Sequence, residues 1–376
     1  MEKQLANKQF RFHVLGIPHT QTHPAWSGCA FTQKALKFCR MMTQRGHTVI
    51  HYGHEHSEVE CTEHVTVTTD ADLRMAYGDA YVDDQAWKIK GFGSYYAIDD
   101  HAHRTFHANA TKEIAKRKQP LDFVLHFWGL GTEAVAHAHP DLINVEPGIG
   151  NGSGFARWRV YESHTVRNAV GGIAGVNYCT QDWYHVVIPN YFDLEDFDYL
   201  EDKEDYILYL GRVYSGKGVD IAIEATERAG KRLIIAGQGT LRDMGYTCTP
   251  DHVTEHGYAT PEQRRHLLSN AQALFIASRY GEPFAGVQVE AWLSGTPVIS
   301  PDWAAFAELN RHNITGIRCR TFKDFVEACD TAQYLLPIQC RRHGEQFSLE
   351  NVAPQYERYF QDVMNVYTGA GWYEIS

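Results

Sequence analysis

The segment ALFIASRYGEPFAGVQVEAWLSGTPVIS, residues 273–300, decides the fold. It opens on a short apolar run, Ala273–Ala277, closes on another, Pro297–Ser300, and has helical spacing between them through Glu290. Strand, helix and strand within about 30 residues form a βαβ unit, which demands a parallel sheet. Pro283 suits the first turn of a helix, so the helix is expected to start near Glu282 to Ala285 and to leave unpaired amides at its positive end. Two carboxylates interrupt this otherwise small, apolar or amide run. Glu282 stands at the expected mouth of the helix, and Glu290 lies about two turns deeper and roughly 80° round the axis. A carboxylate accepts two hydroxyl donors at once, as vicinal diols present them. The simpler readings are dipole complementation for Glu282 and a surface position for Glu290, although Ala291, Trp292 and Leu293 make this helix apolar nearly all round.

The same alternation extends in both directions. In the second half, strands Tyr206–Leu210, Arg232–Ala236 and Val253–His256 precede the segment, with helices Val219–Ala229 and Pro261–Asn270 between them. The first half opens with strand Phe10–Leu15, helix Gly28–Arg45 and strand Thr48–Tyr52, then offers strands Val65–Thr68, Leu121–Phe127, Leu142–Glu146 and Tyr184–Ile188. At Pro189-Asn190 the pattern breaks, and the acidic run LEDFDYLEDKED reads as a linker. The expected organisation is α/β, with two Rossmann-like doubly wound domains, residues 1–189 and 190–348, facing across a cleft. Residues 349–376 add a C-terminal helix, Leu349–Tyr367, which is expected to pack back towards the first domain. Open sheets of this kind bind ligands at the carboxyl ends of their strands.

Composition narrows the partners. The 376 residues carry a formal net charge of −11, so no overall basic field draws the chain to nucleic acid or anionic lipid. No stretch reaches the ~18 to 20 uninterrupted apolar residues of a membrane span, and the polar start MEKQLANKQF does not read as a signal peptide. The 8 cysteines are scattered without a CxxC pair, which points to reduced thiols and a soluble cytoplasmic protein. Histidine is abundant, at 21, with groups such as His51-x-x-His54-x-His56, His101-x-His103 and His137-x-His139, but none has a helical HExxH spacing or paired cysteines. Polar loops are the reading for these groups, and no metal is expected.

An anion site builds from the second half. Gly211-Arg212-Val213-Tyr214-Ser215-Gly216-Lys217-Gly218 follows a strand and opens a helix, so its glycines allow close backbone approach while Arg212 and Lys217 enter the cleft. The spacing is not that of a Walker loop, and taken alone it fits an ordinary strand-to-helix turn equally well. Together with the positive end of the helix that follows Glu282, it suits a diphosphate.

Arg212 and Lys217, then Gly257-Tyr258-Ala259-Thr260-Pro261-Glu262, then GEPFAGVQVEAWLSGTPVIS, resemble the nucleotide-sugar site of retaining GT-B glycosyltransferases of the family 4 type, also called glycosyl transferases group 1. The resemblance covers residues 205–310. It implies that Glu282 contacts the hydroxyls of the donor sugar, that Glu290 binds the ribose, and that Arg212 and Lys217 hold the diphosphate. It also implies a donor frame of Gly211, Gly257, Tyr258, Pro283, Phe284, Ala285, Gly286 and Val287, with Gly257-Tyr258 contacting the base. The sequence departs from the family at Ala285-Gly286, where the family usually reads glycine and then an aliphatic residue.

In this family the first domain takes the acceptor. Gly28, in Trp26-Ser27-Gly28-Cys29-Ala30, matches the turn that faces the donor phosphates, and His126, in Leu125-His126-Phe127-Trp128-Gly129, matches a strand-end histidine near the reacting sugar. A histidine at a strand end is as readily structural. The glycine-rich run Glu146-Pro147-Gly148-Ile149-Gly150-Asn151-Gly152-Ser153-Gly154 lacks the spacing of a dinucleotide fingerprint and reads as a cleft loop. Trp26, Trp128, Glu146 and Asn151 are the acceptor-side candidates.

The function implied is transfer of a hexose or pentose from a nucleoside diphosphate sugar, UDP first, with GDP, ADP or dTDP as alternatives. The acceptor is a hydroxyl on a saccharide, a lipid-linked glycan, a small molecule or, last, a nucleic acid. Retention of configuration is implied by the resemblance, with no metal and no permanently bound cofactor. The rivals are a GT-B-like sugar-nucleotide epimerase, a non-catalytic sugar-nucleotide-binding protein, and a transferase acting on a modified nucleic-acid base.

Overall fold

The computed structural model describes residues 9–26, 28–82, 96–152, 154–173 and 182–369, so Ser27, Ser153 and the tail beyond residue 369 lie outside the described residues. Two parallel sheets form the frame. The first contains β1 (Arg11–Leu15), β2 (Thr48–His54), β3 (Glu63–Thr68), β4 (Phe123–His126), β5 (Ile143–Ile149), β6 (Trp158–Tyr161) and β7 (His185–Val187), in the order β3-β2-β1-β4-β5-β6-β7. The second contains β8 (Ile207–Leu210), β9 (Leu233–Ala236), β10 (Val253–Gly257), β11 (Ala273–Phe275), β12 (Val298–Pro301) and β13 (Gly316–Cys319), in the order β10-β9-β8-β11-β12-β13. Each order runs outward from its first strand and then reverses, which opens a crevice at the strand ends beside that strand. The architecture is GT-B, α/β with two Rossmann-like halves.

Two strands were not foreseen. β6 follows a glycine-rich loop and spans only Trp158-Arg159-Val160-Tyr161, and β13 begins on a glycine and carries Arg318, so neither shows the apolar run that marks a buried strand. β5 also runs further than expected, to Ile149. Its register against β6 shifts between Pro147 and Ile149, and Gly148 takes φ +110°, so a bulge accommodates a proline that has no N–H to donate.

The last helix, Leu349–Thr368, follows the second sheet in sequence but packs in the first core. Its Val352, Tyr356, Phe360 and Val363 join Phe12, Phe38 and Phe123, with the rings of Phe12 and Phe360 4.8 Å apart. The chain therefore crosses between the sheets twice, and the crossings are tied to each other: Phe192 N–H donates to Phe347 O at 2.9 Å and Leu349 N–H to Phe192 O at 3.0 Å. Among the described residues, no helix is long and apolar enough to cross a membrane.

Candidate functional site

The helix that follows β11 starts later than its sequence suggests. It spans Gly286–Leu293, so Glu282, Pro283 and Phe284 lie ahead of the helix and Pro283 is not in its first turn. The reason is Ala285, which takes the left-handed conformation at φ 57°, ψ 62° and turns the chain into the helix. A side chain in that region costs about 1–2 kcal/mol. The departure at Ala285 thus falls on a residue whose backbone favours glycine. Gly286, beside it, has ordinary φ, and a Cβ there would meet only the Phe192 ring at 3.4 Å. The helix itself is buried, with Trp292 wholly enclosed and its indole donating to Thr315 O at 2.9 Å.

Lys217 and Glu282 are brought together. The Lys217 ammonium lies 2.6 Å from Glu282 Oε1, and the Ser278 hydroxyl donates to the same oxygen. Lys217 reaches this point because Gly218 turns left-handed, at φ +68°, and packs so tightly on the segment after β11 that a Cβ would sit 2.1 Å from Ala277 O. Arg212 is exposed and has no carboxylate partner among the described residues; it lies over the Tyr214 ring, as Lys217 lies over Tyr280. Two cations and two phenol rings therefore gather beyond the carboxyl ends of β8 and β11, ahead of the helix start at Gly286.

Glu290 lies one helical turn further in and is half-buried, and Arg264 donates to its Oε2. Arg264 is held by a well-made helix start: Thr260 caps helix Pro261–Asn270, Gln263 closes the capping box, and Pro261 occupies the first turn. Gly257, with φ +76°, ends β10 just before this helix, with the half-buried Tyr258 next to it. Gly211 follows β8 so close to Gly237 that a Cβ on the latter would stand 1.8 Å from Gly211 O.

The first domain meets this crevice across the cleft. A Cβ on Gly28 would stand 3.0 Å from Gln238 of the second domain. Ser163, after β6, donates to the Pro283 carbonyl, and the N–H groups of His164 and Thr165 donate to the Glu308 carboxylate at 2.9 and 3.1 Å, capping the helix His164–Ile173 from the other domain. Gln238, Ser278, Arg264 and Glu308 escaped the sequence reading. The capping box could have flagged Arg264 as fixed near the cleft, whereas Glu308 carries no local signal.

His126 is not presented with a free nitrogen. It is buried, Nδ1 lies 3.0 Å from Thr132 Oγ1 and Nε2 2.9 Å from Asn144 Oδ1, and burial pushes its pKa down to about 4. Its neutral ring is held in place, so proton transfer is not assigned to it. It lines a small concavity with Phe31, Gly129, Glu146, Gly148 and Asn151. Glu146 is buried, and burial raises its carboxyl to about 7. Trp128 donates to His103 Nε2 at 3.2 Å and packs edge-on to Phe31, while Trp26 is buried and donates to Gln21 at 3.3 Å. Next to them Lys34 pairs with Glu162 and donates to Gly148 O at 2.9 Å, and its pKa falls to about 7 through burial.

Of the histidine groups, one brings ligand-type atoms together among the described residues, His54 with Glu55 and Asp70. His54 Nδ1 accepts the His56 N–H at 3.1 Å, which leaves the ring proton on Nε2, facing Asp70 Oδ1 at 3.4 Å. Nε2 is buried and makes no hydrogen bond among the described residues.

Residues 192–332 match the family of glycosyl transferases group 1. Over these residues the chain is similar to group 1 glycosyltransferases. The chain is 33% identical over 127 residues to an uncharacterized glycosyltransferase of Methanocaldococcus jannaschii, covering 31% of this chain and 32% of the relative. It is 32% identical over 127 residues to the glycogen synthase of Mycobacterium tuberculosis, covering 30% of each. The chain thus spans about a third of the length of these curated relatives. Similarity in fold reaches across both domains. Anabaena HepE, solved in complex with UDP and glucose, superposes with a TM-score of 0.65 over 94% of this chain and 100% of its own, at 13% identity.

Proposed function

We propose that the chain moves a sugar from a nucleoside diphosphate sugar to an acceptor hydroxyl, with retention of configuration and without a metal. The observation that carries this reading is the Lys217–Glu282 pair at 2.6 Å, set beside Arg212 and the helix start at Gly286. Departure of the diphosphate builds charge on oxygen, and preorganised cations and amides aimed there supply the largest catalytic contribution. When a donor enters, its diphosphate takes over Lys217, which leaves Glu282 to accept sugar hydroxyls. In the same way a ribose diol competes with Arg264 for Glu290. Gly211, Gly257, Tyr258 and the backbone from Pro283 to Val287 frame the nucleotide, and Gly28 faces the phosphates. Trp26, Trp128, Glu146 and Asn151 belong to the acceptor side, with His126 holding the wall of its pocket. In a retaining reaction the leaving phosphate oxygen can take the proton of the acceptor, so no separate base is needed.

UDP is the first candidate nucleotide, supported by the likeness in fold to Anabaena HepE with its bound UDP. We divide the chain at residues 189 and 348, and assign it to the cytoplasm. The test is a panel of UDP-, GDP-, ADP- and dTDP-sugars scored by thermal stabilisation and by release of nucleoside diphosphate. One member should stabilise the protein and lose its sugar only when an acceptor is supplied. Conversion of a sugar nucleotide with no acceptor would point instead to an epimerase.

A further inference from the structure

We propose that Glu146 Oε1 is the atom that receives a hydroxyl of the acceptor, and that the acceptor is a neutral polyhydroxyl molecule. The inference rests on the glycosyl-transfer reading above. The two oxygens of this carboxylate have unlike surroundings. Oε2 accepts the N–H groups of Phe155 and Ala156 at 2.9 and 2.8 Å and lies 3.7 Å from Arg159 Nε. Oε1 is shielded from water, has no hydrogen-bond partner among the described residues, and faces Gly129, where an added Cβ would stand 3.4 Å away. A buried acceptor left without a donor carries its full desolvation cost, and such groups in native proteins are completed by a ligand or by water.

The place suits a ligand. The concavity lies at the carboxyl ends of β4 and β5, where open parallel sheets bind substrates, and it has room for about one hydroxyl or water. Its lining combines the apolar ring of Phe31 with polar residues, which is the mixture that holds a sugar or polyol. The charged groups that act on Glu146 are Arg159 on β6 and Glu133 on helix Glu133–Ala138, and burial raises the carboxyl to about 7. Above about pH 7 the carboxylate is the larger fraction, and in that form it accepts from a hydroxyl and repels a phosphate or carboxylate.

The test uses the full chain and the donor selected by the panel above, with UDP-glucose first. Glycerol, D-glucose and myo-inositol serve as neutral probes beside glycerol phosphate and glucuronate. The wild type should transfer to at least one neutral probe in preference to the anionic ones. Glu146→Gln should lower kcat/KM for that probe about 10- to 100-fold, the worth of a hydrogen bond to a charged group, and leave the Kd for UDP unchanged. Glu146→Asp, which keeps the charge and withdraws it by one methylene, should show the same loss and serves if the amide variant does not fold. Equal turnover in wild type and variants overturns the proposal and leaves the glycosyl-transfer reading intact, as does release of UDP to water alone at one rate in all three, which would make the cavity the seat of a structural water. Preference for an anionic probe, transfer to none of the probes, or a loss of UDP affinity equal to the loss of turnover also overturns it. A wild type that binds no nucleotide removes the glycosyl-transfer reading and the proposal with it.

Discussion

At the strand ends of the second sheet, opposite charges meet near the surface: Lys217 with Glu282, and Arg264 with Glu290. At the strand ends of the first sheet the ionisable groups are buried and pushed towards their neutral forms, with His126 lowered to about 4, Lys34 lowered to about 7 and Glu146 raised to about 7. On the proposed reading, the difference separates two tasks. A diphosphate needs standing positive charge, and paired side chains keep that charge available until the ligand displaces the partner. A hydroxyl acceptor needs hydrogen bonds in a dry pocket, and burial supplies the dryness at the cost of shifting every titratable group in the wall.

Acid should break the symmetry of the two halves most strongly. Burial holds His19 and His51 at about 3 and His126 at about 4, below the ordinary value of 6.5 for the unfolded chain. The unfolded state therefore takes protons first, so stability is full above pH 6.5 and is lost as pH falls towards 4. At pH 5 each such group costs about 2 kcal/mol. Hydrogen exchange should rise in β1, β2 and β4 at pH 5 well before it rises in β8, β11 and β12, whereas a uniform rise across both sheets would contradict the contrast. Next in size is Lys217→Ala, which removes a positive group from the departing diphosphate and should lower turnover about 10²- to 10³-fold with a smaller change in donor Kd. A variant that loses donor binding and turnover in the same proportion would move Lys217 from charge stabilisation to simple binding.

The second-domain candidate site is the more legible in sequence. Glu282, Glu290, Arg212 and Lys217 are charged residues in runs that otherwise read as strand, turn and buried helix, and that mismatch marks a site. The helix start was misplaced because Pro283 is a strong local signal, while the left-handed turn at Ala285 is imposed by packing and leaves no trace in an alanine. In the first domain His, Trp and Glu occur as readily in a core as in a pocket, so only the satisfied nitrogens of His126 and the orphaned Oε1 of Glu146 separate their roles. Contacts between domains, such as Glu308 with His164 and Thr165, join residues over 140 positions apart and have no local pattern at all.

The smallest expected effect tests that misplaced helix start. Ala285→Gly should raise stability by about 1 kcal/mol in thermal unfolding, because glycine adopts a positive φ without strain. A loss of stability would mean that the methyl packing of Ala285 outweighs the relief.

The most direct measurement is calorimetric titration of UDP, with GDP, ADP and dTDP beside it, into the wild type and into Glu290→Ala. The account predicts that the wild type binds one of these nucleotides and that Glu290→Ala weakens it about 10- to 100-fold, the loss of a carboxylate hydrogen-bonded to the ribose. A wild type that binds none of the four, or a Glu290→Ala variant that binds as well as the wild type, would contradict it.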